Sequence, residues 1–596
     1  MNASNHQGEA IIRRAFMRSL TAILLGGLIV LGIYLYTRPA RETTPVPQAE
    51  ITTPLEVTTT DSAMPQVKFT DITVQAGIDF RQTNGAYGAK LLPETMGSGV
   101  GFIDYDNDGD QDLILVNATF WPDQPRSGQP TTRLYANDGH GNFSDVSQAA
   151  GLALDVYGQG LAIGDYDNDG WDDVYIAALG KNHLLHNDHG HFTDVTTASG
   201  TAGAEHDWGI SAMFFDYDND GNLDLFVANY VQWSPDINLE IDFRVTGLGR
   251  AYSTPKHYAG AQSRLYRNDG NGRFSDVTVE AGITQPGKTL GVTAVDYDRD
   301  GLLDIFVSND TIRNFLYHNT GAGHFEEIGM LEGIAFDRKG AATGAMGIDT
   351  AWYRNDDDLG IVIGNFANEM SSLYVTANAK PPFADEAILE GLGADSRLVL
   401  TFGLFYFDYD LDGRLDLLQA NGHLENEINK VQPSQHFEQP TQLYWNCGDG
   451  CNNRMMLVEN TGDLSQPLVG RSAAYADIDN DGDLDVVITQ TGRDARLFRN
   501  DQQTGHHWLR VKLVGSSDNR DAIGALVELQ AGGVTQKRLV MPSRSYMAQV
   551  ELPVTFGLGD IDRVDTLTVT WPDGQKQQVG VDRIDVLLTI QQASSS

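Results

Sequence analysis

A nine-residue carboxylate loop recurs along this chain and constrains its fold more than any other feature. It reads DYDNDGDQD from Asp104, DYDNDGWDD from Asp165, DYDNDGNLD from Asp216 and DYDRDGLLD from Asp296. It returns as DYDLDGRLD from Asp408 and DIDNDGDLD from Asp477, with a degraded copy, DTAWYRNDDDL, from Asp349. Asp at positions 1, 3 and 5 brings three carboxylates into one tight turn. Gly at position 6 permits that turn because it has no Cβ to clash. Position 7 offers a backbone carbonyl, and Asp at position 9 closes the shell. Oxygen-only, largely anionic ligands suit a hard cation that takes six to eight oxygens, calcium first. Without a cation, carboxylates held this close repel one another.

The predicted ligands follow position by position. They are Asp104, Asp106, Asp108, Asp110 and Asp112 in the first loop, and Asp165, Asp167, Asp169, Trp171 and Asp173 in the second. The third has Asp216, Asp218, Asp220, Asn222 and Asp224; the fourth has Asp296, Asp298, Asp300, Leu302 and Asp304. Two more sets are Asp408, Asp410, Asp412, Arg414 and Asp416, and Asp477, Asp479, Asp481, Asp483 and Asp485. The variety at position 7 (Asp110, Trp171, Asn222, Leu302, Arg414, Asp483) fits a backbone ligand. In the degraded copy Ala351 and Tyr353 replace ligands, which leaves calcium there in doubt. An EF-hand shares the opening D-x-D-x-D-G but needs a bidentate Glu at position 12. That position here is Leu115, Ile176 or Val227. The flanks, such as GISAMFF before and LFVAN after, are short apolar runs that read as buried strands.

The unit is therefore strand, calcium loop, strand. Loop starts at 104, 165, 216, 296, 349, 408 and 477 give a period near 50–60 residues, which reads as propeller blades. A second element, such as RLYANDGHGNFSDVSQAAG at 133–151, adds a hairpin with an NDG turn. The seventh unit stops at RLFRND and lacks its final F-x-D-V-T-x-x-A-G. That piece stands at the other end as FTDITVQAG, Phe69 to Gly77, so the N-terminal segment is expected to close the ring and remove its open edges. Insertions at 230–262 and 422–441 should crowd one face. After Asn500 the repeat ends, and 506–529 and 554–579 alternate like strands of a small β-sandwich or barrel. The fold class is all-β: a seven-bladed propeller and a small β domain, preceded by a transmembrane helix.

That helix is Ser19 to Thr37, 19 uncharged, mostly apolar residues, just long enough to span a bilayer. Arg13, Arg14 and Arg18 before it, against Arg38 and Arg41 after it, place the N-terminus in the cytoplasm. The run reads as an uncleaved signal anchor, with a cleaved signal peptide as the alternative. The expected organisation is a cytoplasmic 1–18, an anchor at 19–37, a Thr/Pro-rich linker at 38–66, the propeller at 67–503 and the second domain at 504–596. The bulk of this single-pass membrane protein is then periplasmic or extracellular, where calcium is abundant enough for modules of this kind. The formal charge is −40, and six calcium ions, twelve positive charges, still leave about −28. Nucleic acid and anionic membrane surfaces are not the partners such a charge favours. Cys447 and Cys451, in CGDGC, suit a small disulfide loop in an oxidising compartment, or a reduced exposed pair; no further Cys exists to make a metal site.

The loops between G-x-x-x-x-D and apolar strands resemble FG-GAP/VCBS repeats, the type found in the integrin α-subunit propeller. The segments HWLRVKLVG, NRDAIGA, FGLGD and VTWPDG resemble the ASPIC/UnbV domain. Their order, over 67–596, is similar to that of bacterial relatives of the cartilage acidic protein family. The resemblance implies calcium on the loop aspartates, a propeller and an extracytoplasmic place. Glu94, in LPETMGSG, and His423, in NGHLEN, resemble recurrent family positions beside loop mouths.

No HExxH, P-loop or G-x-S-x-G elbow is present. His183, His186, His189 and His191 form a local cluster, but strand alternation sends them to different faces. The preferred function is a calcium-stabilised, membrane-tethered binding, adhesion or scaffold module for protein or glycan partners. The alternative is an exported enzyme or enzyme accessory, with a site on the propeller face or at the junction of the two domains.

Overall fold

The computed structural model describes the backbone of residues 5–37, 64–516 and 518–593, and their side chains except those of 5–12, 30 and 33–37. The chain divides into two compact units, 1–58 and 59–596. The first holds the helix Asn5–Thr37, on which the expected anchor lies. Among the described residues no helix is long and apolar enough to cross a membrane. The side chains of 33–37 and the expected linker up to residue 63 fall outside the described residues.

The second unit is all-β. Among the described residues seven sheets follow one another, each a meander that opens with one of the strands Val100–Ile103, Gly158–Gly164, Gly209–Phe215, Thr289–Val295, Ala345–Ala351, Thr401–Phe407 and Gly470–Ala476. Each opening strand packs against the next, and the last packs against the first, so the sheets stand around an axis as in a β-propeller. These strands are almost wholly buried, which is why they read as continuous apolar runs rather than alternating ones. Small residues let them crowd the axis. A Cβ on Gly403 would stand 2.6 Å from the Arg471 carbonyl oxygen of the next strand. The ring closes where Phe69, Thr70 and Asp71 pair with Asn500, Arg499 and Phe498, so the edge of the last sheet is covered by the strand that precedes the first sheet.

The C-terminal part forms two further sheets. One comprises His507–Val514, Val554–Gly559 and Leu587–Gln591; the other comprises Val534–Leu539, Leu526–Ala531, Thr566–Thr570 and Lys576–Val579. They share a core of Leu509, Val511, Val527, Leu529, Phe556, Leu567 and Val569. Between the two sheets the chain leaves this core and enters the ring. Residues 543–549 form a hairpin whose strand Ala548–Gln549 runs parallel to Val100–Gly101, adding to the inner edge of the first sheet. Opposite, Ser545 bridges Ile348 of the fifth sheet. Tyr546 and Met547 are buried beyond them among Leu92, Met96, Trp208, Met346 and Phe402. The axis is thus filled by the chain itself.

Candidate metal centre

Each loop joins the first two strands of its sheet, and the backbone explains its composition. Gly109, Gly170, Gly221, Gly301, Gly413 and Gly482, at position 6, all have φ between 88° and 96°. Position 4 is left-handed as well: Asn107, Asn168, Asn219 and Asn480 have φ of 55–61°, which Asn tolerates best after Gly. Arg299 and Leu411 adopt it too, at 66° and 58°.

The carboxylates have distinct tasks. At position 1, Asp165 accepts the N–H groups of Asp169 and Gly170 at 2.9 and 2.7 Å; Asp216, Asp296, Asp408 and Asp477 repeat this. At position 5, Asp108, Asp169, Asp220, Asp300, Asp412 and Asp481 each accept the N–H of position 7, which orients that peptide. At position 9, each buried carboxylate accepts two backbone N–H groups. Asp224, for example, accepts from Tyr217 at 3.1 Å and from Asn268 on the third strand at 2.8 Å. Position 9 therefore ties the loop to its own sheet, whatever else it binds.

Position 3 is different. Oδ1 of Asp106, Asp218 and Asp479 is buried with no hydrogen-bond partner. An anionic oxygen left so is costly unless a cation meets it. Groups of aspartates close enough to share one ion include Asp104 with Asp106 and Asp108, Asp165 with Asp167 and Asp169, and Asp216 with Asp218 and Asp224. Burial first, and the charge of a neighbouring aspartate second, push the Asp481 carboxyl up to about 6 and that of Asp410 up to about 7. A divalent cation supplies what relieves both effects, so the donor set fits a hard ion.

The degraded copy needs a correction. Strand pairing sets Ala351 opposite Gly360, as it sets Ile103 opposite Asp112. The loop therefore begins at Trp352, not Asp349, and places Trp352, Arg354 and Gly360 at positions 1, 3 and 9. The carboxylates of Asp349 and Asp358 attract the eye in the sequence, but the hydrogen-bonded ladder sets the register. Asp349 lies in the inner strand, where it accepts the Tyr406 N–H at 2.7 Å and stands 3.5 Å from Arg544. Arg354 pairs with Glu386 and Glu390.

Two sets of asparagines join neighbouring loops. On the third strand, Asn187 Nδ2 donates to the Tyr105 carbonyl of the preceding loop, and Asn268, Asn319, Asn446 and Asn500 do the same to Tyr166, Tyr217, Tyr353 and Tyr409. Asn137 links the first sheet to the seventh by donating to Ile478, which leaves only the fifth sheet, with Thr376 at this register, without such a bond among the described residues. At position 4, Asn107, Asn219 and Asn355 donate to the carbonyls of Gly170, Gly301 and Gly413 in the following loop. The third-strand Asn opens the NDG turn and was legible only as a turn residue; its recurrence was the signal of a second role.

The C-terminal sheets cover the loop end of the ring. Arg510 lies buried between Asp477, at 2.7 Å, and Glu551. Lys512 stands 3.3 Å from Asp104 and Arg520 3.7 Å from Asp165. Lys537 pairs with Asp357, and the Gly557 N–H donates to Asp408 at 3.1 Å. Loops three and four instead face a cleft of about 370 Å³ lined by Asp216, Asp296, Trp352, Trp571 and Lys537.

Glu94 and His423 sit at the opposite end. Glu94 is buried and accepts hydrogen bonds from Trp121 Nε1 and the Tyr252 hydroxyl, each at 3.1 Å. Arg471 joins the two neighbourhoods, donating to the carbonyls of Thr95 at 2.7 Å and His423 at 3.2 Å. The 230–262 insertion meets the 422–441 insertion beside them, through Glu425, which accepts from the Tyr252 N–H at 2.5 Å and from Lys90 at 2.8 Å. Of the four clustered histidines, His183 pairs with Asp194, His189 with Asp188 and His191 with the Ala149 carbonyl, while His186 turns to its own loop. Cys447 and Cys451 are joined in a disulfide.

Two family models match the parts of the chain that carry these loops and the C-terminal sheets. The FG-GAP-like repeat matches residues 104–176, 165–227 and 258–307, and ASPIC and UnbV matches 515–596. Among whole proteins the chain is similar to cartilage acidic protein 1. It is 24% identical to the Homo sapiens protein over 519 residues, covering 81% of this chain and 70% of that one. The Xenopus tropicalis protein is 24% identical over 514 residues, covering 81% and 71%. Among solved structures it is similar to the Dos1 propeller, at 9% identity and a TM-score of 0.34, covering 68% of this chain and 93% of that one. An Agrocybe aegerita lectin that recognises non-reducing terminal N-acetylglucosamine is 16% identical with a TM-score of 0.36, covering 62% and 82%.

Proposed function

We propose that this protein is a calcium-loaded, membrane-tethered binding module of the extracytoplasmic space, with a seven-bladed propeller at 67–503 and a β-sandwich at 504–596. Its six intact loops hold calcium as a structural ion. Its partner, a protein or a glycan, docks on the end of the ring that carries the insertions 230–262 and 422–441. The observation that carries this reading is the difference between the two ends. One is covered by the C-terminal sheets and the axis is filled by 543–549, so neither offers the open surface that propellers commonly use. The other is built of long, interlocked loops and presents Ile237 and Leu239, 41% and 44% exposed, on the short helix Pro235–Ile241. Binding residues concentrate on loops, and neighbouring exposed apolar side chains are what a partner surface offers.

The test is affinity capture with the full chain, in millimolar calcium and in chelator, beside an Ile237→Asp, Leu239→Asp variant. A partner retained by the parent in calcium and lost by the variant supports the reading. Retention that ignores both changes removes this face from consideration.

A second reading, an exported enzyme or enzyme accessory with its site at the domain junction, draws support from the 370 Å³ cleft beside loops three and four. Small molecules that raise the melting temperature of the parent but not of an Asp296→Ala variant would favour it.

A further inference from the structure

In two of the six intact loops an imidazole stands beside the loop carboxylates. His186 and His318 occupy the same register, the third-strand residue just before the Asn that bridges the loops. That register holds Ala136, Arg267, Trp445 and Arg499 in the other intact sheets. His186 Nδ1 lies 3.4 Å from Asp167 Oδ2 at position 3 and 3.2 Å from Asp173 Oδ1 at position 9. His318 Nδ1 lies 3.9 Å from Asp298 Oδ2 and 3.0 Å from Asp304 Oδ1. The rings share one pose. The position-2 tyrosines, Tyr166 and Tyr297, meet them edge-on, in both cases at 73° between planes. The same nitrogen therefore faces the same two carboxylates in two sheets, held by an aromatic contact that a simple surface ion pair does not need.

Around His186 the spacing fits a coordination shell better than an ion pair. A charge-assisted N–H···O⁻ bond is about 2.7–2.9 Å long, and one Nδ1 proton serves one acceptor well. Ligands about 2.0–2.1 Å from a tetrahedral metal stand roughly 3.3 Å apart, close to the 3.2 and 3.4 Å around His186, whereas the corresponding spacings around His318 are 3.9 and 3.0 Å. Chemistry points the same way, since calcium selects oxygen while imidazole with carboxylate suits borderline divalent ions.

We propose that the loops of the second and fourth sheets each bind one transition-metal ion of the zinc class, through Asp167, Asp173 and His186 and through Asp298, Asp304 and His318. The all-oxygen loops remain calcium sites, so the inference narrows the calcium reading of two loops and stands even if the others prove empty. Asp173 and Asp304 are buried, while the other ligands are part-exposed, so each site is open to entry from solvent.

The test uses the full chain, stripped of metal and returned to 2 mM calcium, then titrated with Co²⁺ as the probe. Bound cobalt is counted by mass spectrometry and its ligand field read from visible absorption; Zn²⁺ is then added to displace it. About two equivalents are expected, displaced by zinc, with one lost in His186→Ala, one in His318→Ala and both in the double variant. Calcium-dependent melting of each variant verifies folding, and the count on the parent chain is independent of it. Cobalt binding below half an equivalent in the parent overturns the proposal. So does binding that persists in the double variant, which would place the metal on other surface histidines.

Discussion

Ser545 exchanges both backbone hydrogen bonds with Ile348, N–H to O at 2.8 Å one way and 2.9 Å the other, although the two are far apart in the sequence. Ser545 has φ of 69°, and its Oγ also accepts the Leu404 N–H at 3.0 Å. The segment 543–549 is thus hydrogen-bonded to the inner wall of the ring. Ser545→Pro removes the N–H and cannot adopt that φ. The expected loss is roughly 3 kcal/mol or more, seen as a lower melting temperature with the two domains unfolding in separate calorimetric transitions. A variant that melts like the parent would show that the inserted segment contributes little.

The asparagines that join neighbouring sheets make a sharper prediction. Asn268 Nδ2 reaches the carbonyls of Tyr166 and Leu223 at 2.7 and 3.0 Å, all buried. Asn268→Ala strands both acceptors and should cost about 2–3 kcal/mol, measured as a shift of the urea midpoint without a change of slope. At the same register of the fifth sheet stands Thr376, which accepts the Leu359 N–H at 2.8 Å within its own sheet. Thr376→Ala should cost less than half as much.

Calcium stabilises only if it prefers the folded chain. At 2 mM calcium and a dissociation constant of about 10⁻⁴ M, each loop gains about 2 kcal/mol. Chelator should therefore lower the melting temperature by many degrees, and Asp218→Ala, which removes a buried partnerless acceptor, should reduce the shift by about one loop's share. Asp356→Ala, in the degraded loop with Arg354 at position 3, should leave it unchanged. Chelator-independent melting would end the structural calcium reading.

Much of this fold was legible because it is local and repeated. The strand–loop–strand unit shows in the carboxylate spacing, and the missing tail of the seventh unit foretold the pairing of Phe69 with Asn500. What was not legible is non-local or carries two meanings. The residues SRSYMAQ at 543–549 have no periodicity, and only the three-dimensional ring gives them partners in the first and fifth sheets. His186 was hidden in a run of four histidines that the hairpin disperses. The register of the fifth loop was misread because its aspartates outshine Trp352 and Gly360, whereas strand pairing sets it.

The last prediction concerns Glu94, which ordinary carboxylates do not resemble. Burial pushes its carboxyl up to about 7, against the hydrogen bonds from Trp121 and Tyr252 that favour the charged form. The folded chain then holds a proton that the unfolded chain releases near pH 4.5. This contribution to stability is complete below about pH 4.5 and is lost as the pH rises to about 7, up to about 3 kcal/mol in all. Glu94→Gln has no proton to lose. Its stability relative to the parent should therefore improve as the pH rises from 4.5 to 7 and be constant above that. Urea titrations at half-unit steps, in saturating calcium, measure the difference. A difference that is flat from pH 4.5 to 7 would mean that Glu94 is ionised in the folded state. Its partner would then have to be a cation, and Lys90, which already bridges to Glu425 at 2.8 Å, is the nearest to hand.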